Sequence, residues 1–393
     1  MILDLGLQAL ANNLLSTEDG PLVEPRFPLR VFVCLDCWLL QIADVVPPAQ
    51  LFECYPYFSS FSETMLRHAS EAAVRYVADF NLGRNSLVVE IGSNDGYLLK
   101  NFVAAGVPSL GIEPAGNIAQ AAQKQGVETL VKFFSAHLAT ELAASGKKAD
   151  LILGNNVLAH SPGINDFVAG LALLLTPEGS IVLEFPYACD LVERGEFDTI
   201  YHEHVFYFTL TSLIPLFDRH GLVIVDVERM PIHGGSLRLF ACHPGKRPVQ
   251  PSVTFLLGQE KTKGVMSPRY YEDFEECVRN IRASLVNQLR ELKRKGHSIA
   301  AYGASAKGST LLNYCGIDAE VIDFVADRSW AKQGRLTPGS HLPIVSAEEL
   351  LLRQPDYTLL LTWNIADEIL EQQAEYRRRG GRFIIPIPEA KVI

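Results

Sequence analysis

At 393 residues the chain is long enough for two or three domains of ~150 residues each, and cores of that size need no covalent staples. Lys and Arg number 35 against 45 Asp and Glu, a formal charge of −10, which excludes a dedicated nucleic-acid binder with its basic face. A composition 48% hydrophobic and 20% charged excludes disorder, and no window approaches the ~20 uninterrupted apolar residues of a membrane span.

The opening Met1-Ile2-Leu3-Asp4 lacks the basic stretch of a secretory signal. Seven cysteines, an odd number in a chain without a signal, point to reduced thiols and a cytoplasmic protein. The expected partners are small molecules, with no nucleic acid and no membrane; no apolar seam is legible from which an oligomeric state could be read.

Residues 1–65 are turn-rich, with Pro21, Pro25, Pro28, Pro47, Pro48 and Pro56 between short apolar runs, and they carry Cys34-Leu35-Asp36-Cys37 in a knuckle-like setting. Residues 66–245 read as strand, glycine turn and helix in repetition, with strands over 86–91, 109–112, 151–153 and 180–185. That alternation predicts an α/β core with a parallel sheet covered on both faces. Residues 246–295 are long, charged and helix-compatible, a helical bridge. In 296–393 the same grammar restarts, with a strand over 298–302, a turn over 303–308, a helix over 309–315 and strands over 321–325, 357–362 and 382–387: a second, smaller α/β domain.

The most informative stretch is Leu87-Val88-Val89-Glu90-Ile91-Gly92-Ser93-Asn94-Asp95-Gly96. A buried strand enters a glycine turn and then a helix near Tyr97; Gly92 lets a ligand approach the backbone and Gly96 permits a tight entry into the helix. The spacing matches neither the Gly-x-Gly-x-x-Gly dinucleotide fingerprint nor a P-loop. Glu90 before the turn and Asp95 within it suit a cationic ligand better than a phosphate. Glu113, which ends the next strand, is placed to take both hydroxyls of a ribose, and Asn155-Asn156 end the third strand. This set resembles the class I S-adenosylmethionine-dependent methyltransferases, in which the turn holds the methionine end of the cofactor. On that resemblance Glu90, Gly92, Asn94, Asp95, Gly96, Glu113, Asn155 and Asn156 are the cofactor-binding residues.

Tyr201-His202-Glu203-His204 gathers proton-handling side chains after the fourth strand, near the carboxyl ends where open α/β sheets bind ligands. It is not a zinc-protease motif, because Phe206 stands where the second histidine would be. His160 follows the third strand on the same edge. An oxygen or nitrogen nucleophile needs at most one base, whereas a carbon next to a ketone must lose a far less acidic proton and its enolate must be held by donors. A histidine base with a glutamate and a tyrosine meets that demand, so carbon methylation fits the inventory better than methylation of oxygen.

Along nearly its whole length the chain resembles the sugar C-methyltransferases of bacterial deoxysugar pathways, which act on dTDP-linked 4-keto-6-deoxysugars. The matching segments include Leu3-Asp4-Leu5-Gly6-Leu7-Gln8 with Leu10-Ala11-Asn12, Tyr55-Pro56-Tyr57-Phe58-Ser59-Ser60, Leu158-Ala159-His160, Glu203-His204, His233-Gly234-Gly235-Ser236-Leu237-Arg238 and Tyr302-Gly303-Ala304-Ser305-Ala306-Lys307-Gly308. The resemblance implies a small zinc-binding N-terminal domain, a Rossmann-like methyltransferase core and a Rossmann-like C-terminal domain, with the sugar nucleotide between them. It implies that Tyr55, His160, Tyr201, Glu203 and His204 line the reaction site. His204 is then the base that removes the proton α to the ketone, oriented by Tyr201 and Glu203, with Tyr55 and His160 toward the keto oxygen and a neighbouring hydroxyl. Tyr57, Ser59, Ser60 and Lys307 are the expected substrate contacts.

Two departures stand out. A first Cys-x-x-Cys pair, which the family carries upstream, is missing, and Cys54 and His68 lie at no familiar ligand spacing from Cys34 and Cys37. Two thiolates fall short of a four-coordinate zinc site; either the start lies upstream or the metal has been lost, and the pair reads as a vestigial half-site with no metal expected. Lys132 stands where an acid near the adenine is common, which leaves the adenine contacts unassigned.

The C-terminal turn, Gly303 to Gly308, fails as a triphosphatase loop because Ser309 stands in place of the lysine. Its helix N-terminus with Lys307 can still hold a diphosphate, or it can be a purely structural turn. Competing readings are an O- or N-methyltransferase, a C-methyltransferase on a non-sugar ketone, and a non-catalytic scaffold that retains the fold.

Overall fold

A computed structural model describes residues 1–16, 24–52 and 55–393; Cys54 and the His233 side chain lie outside what it describes. Among the described residues the core is a seven-stranded sheet in the order Val223–Met230, Ser236–Cys242, Leu175–Pro186, Ala149–Asn155, Val88–Ile91, Ser109–Ile112 and Thr129–Leu130. The five strands from Leu175–Pro186 to Thr129–Leu130 pair parallel. Their near-continuous apolar runs are what a sheet covered on both faces requires: every residue of Val88–Ile91 is buried. The expected all-parallel sheet needs one correction, since Ser236–Cys242 runs antiparallel to both neighbours. Arg238 interrupts its apolar pattern, yet it is buried and bonds Glu184 across the ladder at 3.1 Å, with His68 and Glu228 beside it. A buried charge is tolerated only when paired in this way.

Strand order reverses at Val88–Ile91, whose successor Ser109–Ile112 lies on one side and Ala149–Asn155 on the other. In open α/β sheets ligands bind at such a switch point, outside the carboxyl ends of the strands.

A second sheet of six strands centres on Ile299–Tyr302, flanked in parallel by Val325–Asp327 and Tyr357–Leu360. Here the expected strand over 321–325 sits later, because 318–322 forms a turn closed by Ile322 N–H on the Asp318 carbonyl. The helix after the turn begins earlier than expected, at Ala306–Cys315, because the Ser305 side chain caps it by accepting from the Gly308 N–H.

The N-terminal region is more ordered than its prolines suggest. Leu3–Ala9, Arg26–Val33 and Leu40–Ile42 form an antiparallel sheet that takes Phe206–Tyr207 of the core as its fourth strand. Pro28 is accommodated because Leu40–Ile42 pairs only with Val31–Val33, so no ladder partner on that side calls for the N–H it lacks. Leu15–Ser16 pairs with Arg335–Leu336 of the C-terminal region. One apolar cluster runs through all three sheets, from Leu3, Leu29 and Val31 through Ile91 and Phe206 to Leu311 and Val325.

The helical stretch comprises Pro251–Lys263, Arg269–Glu272 and Phe274–Arg294. Phe274, Val278, Ile281, Leu285 and Leu289 form the buried stripe of the last, at helical spacing. Pro251–Lys263 is less a bridge than an anchor. Its buried Glu260 accepts from the Leu210 and Thr211 amides at 2.7 Å each, satisfying the first turn of the helix Leu210–Arg219.

Candidate active site

A cavity of about 800 Å³ opens at the switch point and extends to the second glycine turn. It is lined from the core by Gly92, Asn94, Glu113, Asn155, Asn156, His160, Tyr201 and His204, from the segment after Phe52 by Tyr55, Tyr57 and Ser59, and from the C-terminal sheet by Lys307.

At the first turn Gly92 adopts φ +66°, and an added Cβ would sit 3.0 Å from Val157. Only glycine combines that conformation with that approach. Gly96 (φ +79°) serves packing instead, since its missing side chain lets the turn settle on Val127 and Ala122. The regular helix starts only at Leu99. Glu113 faces the cavity, held by the Asn94 and Ala115 amides at 3.0 and 2.9 Å, and burial raises its carboxyl above the usual range.

Glu90 lies beneath, fully buried, and neither of its oxygens has a hydrogen-bond partner among the described residues. Burial, then the charges of Asp95 and Glu113, push it well up. A buried carboxyl short of a partner fits a ligand that brings positive charge to this turn. Asp95 instead holds the Ser60 amide at 3.2 Å and its hydroxyl, while Asn94 accepts from the Ser59 N–H at 2.8 Å and donates to the Tyr57 carbonyl at 3.2 Å. Thus Asp95 Oδ2, the Ser59 amide and Ser60 are engaged in hydrogen bonds across the turn, while Asp95 Oδ1 has no partner among the described residues and Ser59 lines the cavity. Phe134, stacked edge-on against Phe167 at 5.2 Å, and Asp166 line the same end. Sequence reasoning missed Asp166, whose only signal was its place in the helix after His160.

At the other carboxyl ends, the His204 Nδ1–H donates to the Thr199 carbonyl at 2.9 Å, and Nε2 meets the Tyr201 hydroxyl at 2.8 Å. The carbonyl fixes the tautomer, leaving Nε2 as the acceptor in the neutral ring. His160 lies 4.9 Å away, centroid to centroid, stacked on Phe52. Its Nε2 has no partner among the described residues, and burial drops its pKa to about 4. The expectation that Glu203 orients His204 needs revision: Glu203 accepts from the Tyr55 hydroxyl at 2.9 Å and from Asn12 Nδ2 at 2.7 Å, and it lies behind the cavity wall. Burial pushes its carboxyl up to about 7, against the pull of those two donors. His202 points away from the cavity, its Nε2–H on the Pro28 carbonyl at 3.1 Å.

At the second turn Gly303 (φ +90°) packs on Thr362, and Lys307 lies 5.1 Å from the Trp363 ring centroid. Its charge also acts on the buried carboxyls of Glu196 and Asp198. Arg328 and Lys332, which no motif singled out, line the cavity beside it.

Cys34 and Cys37 sit together on a turn between two strands of the N-terminal sheet. Among the described residues no three His, Cys, Asp or Glu side chains gather into a metal site. Two donors do not fit the four that a structural zinc takes.

Three family descriptions match successive parts of the chain. Residues 1–52 match a putative zinc binding domain, 65–227 a methyltransferase domain, and 231–388 a C-methyltransferase C-terminal domain. The chain is 40% identical to C-methyltransferase NovU of Streptomyces niveus, across 100% of this chain and 94% of that protein. Among solved structures, magnesium protoporphyrin IX methyltransferase from Synechocystis PCC 6803 with bound SAM aligns at 18% identity, covering 45% of this chain and 79% of that one, with a TM-score of 0.35. A putative S-adenosylmethionine-dependent methyltransferase from Listeria monocytogenes aligns at 13% identity over 44% and 98%, with a TM-score of 0.36. With an acid-lined glycine turn at the switch point of its core sheet and a full-length relative of this kind, the chain belongs to the class I S-adenosylmethionine-dependent C-methyltransferase family.

Proposed function

We propose that the enzyme methylates the carbon α to the ketone of a nucleotide-linked 4-keto-6-deoxysugar of the dTDP type, through an enolate formed with the help of His204. The observation that carries this reading is the chain Thr199 carbonyl–His204–Tyr201 hydroxyl, facing the same cavity as the acid-lined turn. When bound, S-adenosylmethionine supplies the methyl group that the substrate carbon takes from sulfur. Glu113 would hold its ribose hydroxyls, and Glu90 would meet the positive charge of its methionine end.

The other steps belong to this chain. Because the Tyr201 hydroxyl already donates to His204 Nε2, the α proton reaches the imidazole through the tyrosine oxygen. The phenol passes its own proton to Nε2 as it takes one from carbon, so the ring ends protonated and the substrate ends as the enolate. His160, held neutral at a pKa of about 4, is too weak a base to compete, and its Nε2 suits a hydrogen bond to the enolate oxygen or its neighbour. The Tyr55 proton lies toward Glu203, so Tyr55 offers lone pairs to a sugar hydroxyl. Lys307, with the first amides of the helix Ala306–Cys315, would take the diphosphate.

The test is mass spectrometry of the protein with S-adenosylmethionine and a panel of dTDP-4-keto-6-deoxysugars in heavy water. The reading requires a product one methyl heavier and deuterium at the α position of unmethylated sugar. Methyl gain on the panel without exchange would mean heteroatom chemistry, and inertness toward the whole panel would remove the sugar.

A further inference from the structure

We propose that Asn12, delivered by the N-terminal sheet, is a positioning residue of the active site: its amide holds the Glu203 carboxylate, which in turn fixes the proton of Tyr55. This rests on the reading above only in placing Tyr55 against substrate.

The contact is short and unambiguous in sense. Asn12 Nδ2 lies 2.7 Å from Glu203 Oε1, and a carboxylate oxygen only accepts, so the amide must donate. Glu203 Oε2 takes the Tyr55 hydroxyl at 2.9 Å. Asn12 and Glu203 are separated by 191 positions, and the intervening chain belongs largely to the methyltransferase core. The turn after the N-terminal strand Leu3–Ala9 therefore contributes a side chain to the cavity, while the sheet contributes apolar area to the shared core. Asn12 itself lines the cavity.

The placement of Asn12, in the turn after Leu3–Ala9, is enforced from the C-terminal region. The Ser309 hydroxyl, on the helix after the second glycine turn, donates to the Ala11 carbonyl at 2.8 Å. The next residue, Thr310, donates to the Ile200 carbonyl at 3.1 Å, just before Tyr201. Consecutive side chains of the helix Ala306–Cys315 thus clamp the two segments that bring Asn12 and Tyr201 to the site. Beyond Asn12 the chain is held again where Leu15–Ser16 pairs with Arg335–Leu336.

The chemistry follows from which state of Glu203 the two donors favour. With the carboxylate ionised, the Tyr55 proton is committed to it and the phenol oxygen faces substrate as an acceptor. If Glu203 takes up a proton, it can donate instead, and Tyr55 turns into a donor. The ionisable groups that act on the carboxyl are Tyr55 from the segment after Phe52 and Tyr201 from its own turn, with Tyr57, Tyr207 and Asp198 beyond them. The tyrosines and Asp198 bring it no positive charge, so the ionised form depends on the hydrogen bonds from Asn12 and Tyr55.

The experiment is carbon-13 NMR of the full-length enzyme with labelled glutamate carboxyls, with the Glu203 signal assigned by its loss in Glu203→Gln. Asn12→Ala should raise the Glu203 midpoint by about one to two pH units, the size of one hydrogen bond to a charged group. S-adenosylmethionine affinity by calorimetry should be unchanged, and Asn12→Gln should restore part of the shift. Ser309→Ala, which frees the Ala11 carbonyl and gives up a longer contact to the Ser305 carbonyl at 3.3 Å, should move the midpoint the same way by less. An unmoved midpoint in Asn12→Ala overturns the proposal; if that variant does not fold, an unmoved midpoint in Ser309→Ala does so. Because no sugar is present, the midpoint shifts even if the sugar reading fails, and the two failures are distinguishable.

Discussion

Two strand–glycine–helix turns face the cavity, and they differ in where the regular helix begins and in whether cations stand beside their acids. Around Gly92–Gly96 stand Glu90, Asp95 and Glu113, all buried, and the regular helix begins only at Leu99. Around Gly303–Gly308 the cations Lys307, Arg328 and Lys332 stand among acids, Glu368 and Asp327, the latter accepting from the Ala304 amide at 2.7 Å, and a serine-capped helix starts at once at Ala306. A late helix among acids leaves no concentrated positive end; an early helix with cations beside its acids brings one to the cavity. On the proposed reading the first turn is the pole that takes the cationic ligand and the second the pole that takes the anionic one, and the His204 imidazole lies in the cavity they share. Fold alone does not choose the ligand; the charges set around it do.

The sharpest way to test this division is to remove what lies between the poles. His204→Asn should lower methyl transfer by ~10²–10⁴-fold, the scale of a lost general base, and abolish deuterium exchange, while both ligands still bind. An unchanged rate would move the base elsewhere, with His160 the next candidate despite its low pKa.

The acidic pole comes next. Glu113→Ala should weaken S-adenosylmethionine by ~10–100-fold in calorimetry, as expected for lost hydrogen bonds to a charged group, with the KM for the sugar nucleotide unaltered. At the cationic pole, Lys307→Ala should raise the sugar-nucleotide KM by ~10-fold and leave cofactor affinity alone. A lowered kcat at constant KM would end the diphosphate assignment, and a crossed result in either variant would break the comparison itself.

The smallest effect concerns the acids behind the cationic turn. Burial raises Glu196 from 4.5 to about 7. An acid whose folded pKa lies above its unfolded one binds more protons when folded, so its contribution to stability falls as pH rises from 4.5 through 7. Glu196→Gln should therefore gain about 1–3 kcal/mol on the wild type between pH 5 and pH 8 in urea melts. A gain independent of pH would mean that this carboxyl is not buried in its ionised form.

Much of the fold was legible because buried parallel strands must be apolar throughout and glycine must stand where the chain turns sharply. Val88–Ile91 and Ile299–Tyr302 announce themselves for that reason. Ser236–Cys242 did not, since its buried Arg238 is balanced by Glu184, a residue far away in sequence. The N-terminal strands were hidden for a related reason: they complete their sheet with Phe206–Tyr207, and no local pattern shows a partner supplied by another domain. In the site, Tyr201, His204 and His160 stood out by residue type and position at the sheet edge. Asn12 carried no chemical signal, being a single amide whose meaning comes from the carboxylate it meets.

The amino-acid sequence by itself determined the strand and turn grammar, the acid-lined first turn and the imidazole–phenol pair, because these depend on periodicity and on neighbours a few residues apart. The tertiary structure alone decided which acid holds which group. Glu203 turned out to serve Tyr55, Asp95 to hold Ser60, and Glu90 to lie beneath the turn without a hydrogen-bond partner among the described residues. Such pairings are set by packing across hundreds of residues, where burial makes each hydrogen bond count and water no longer offers a substitute.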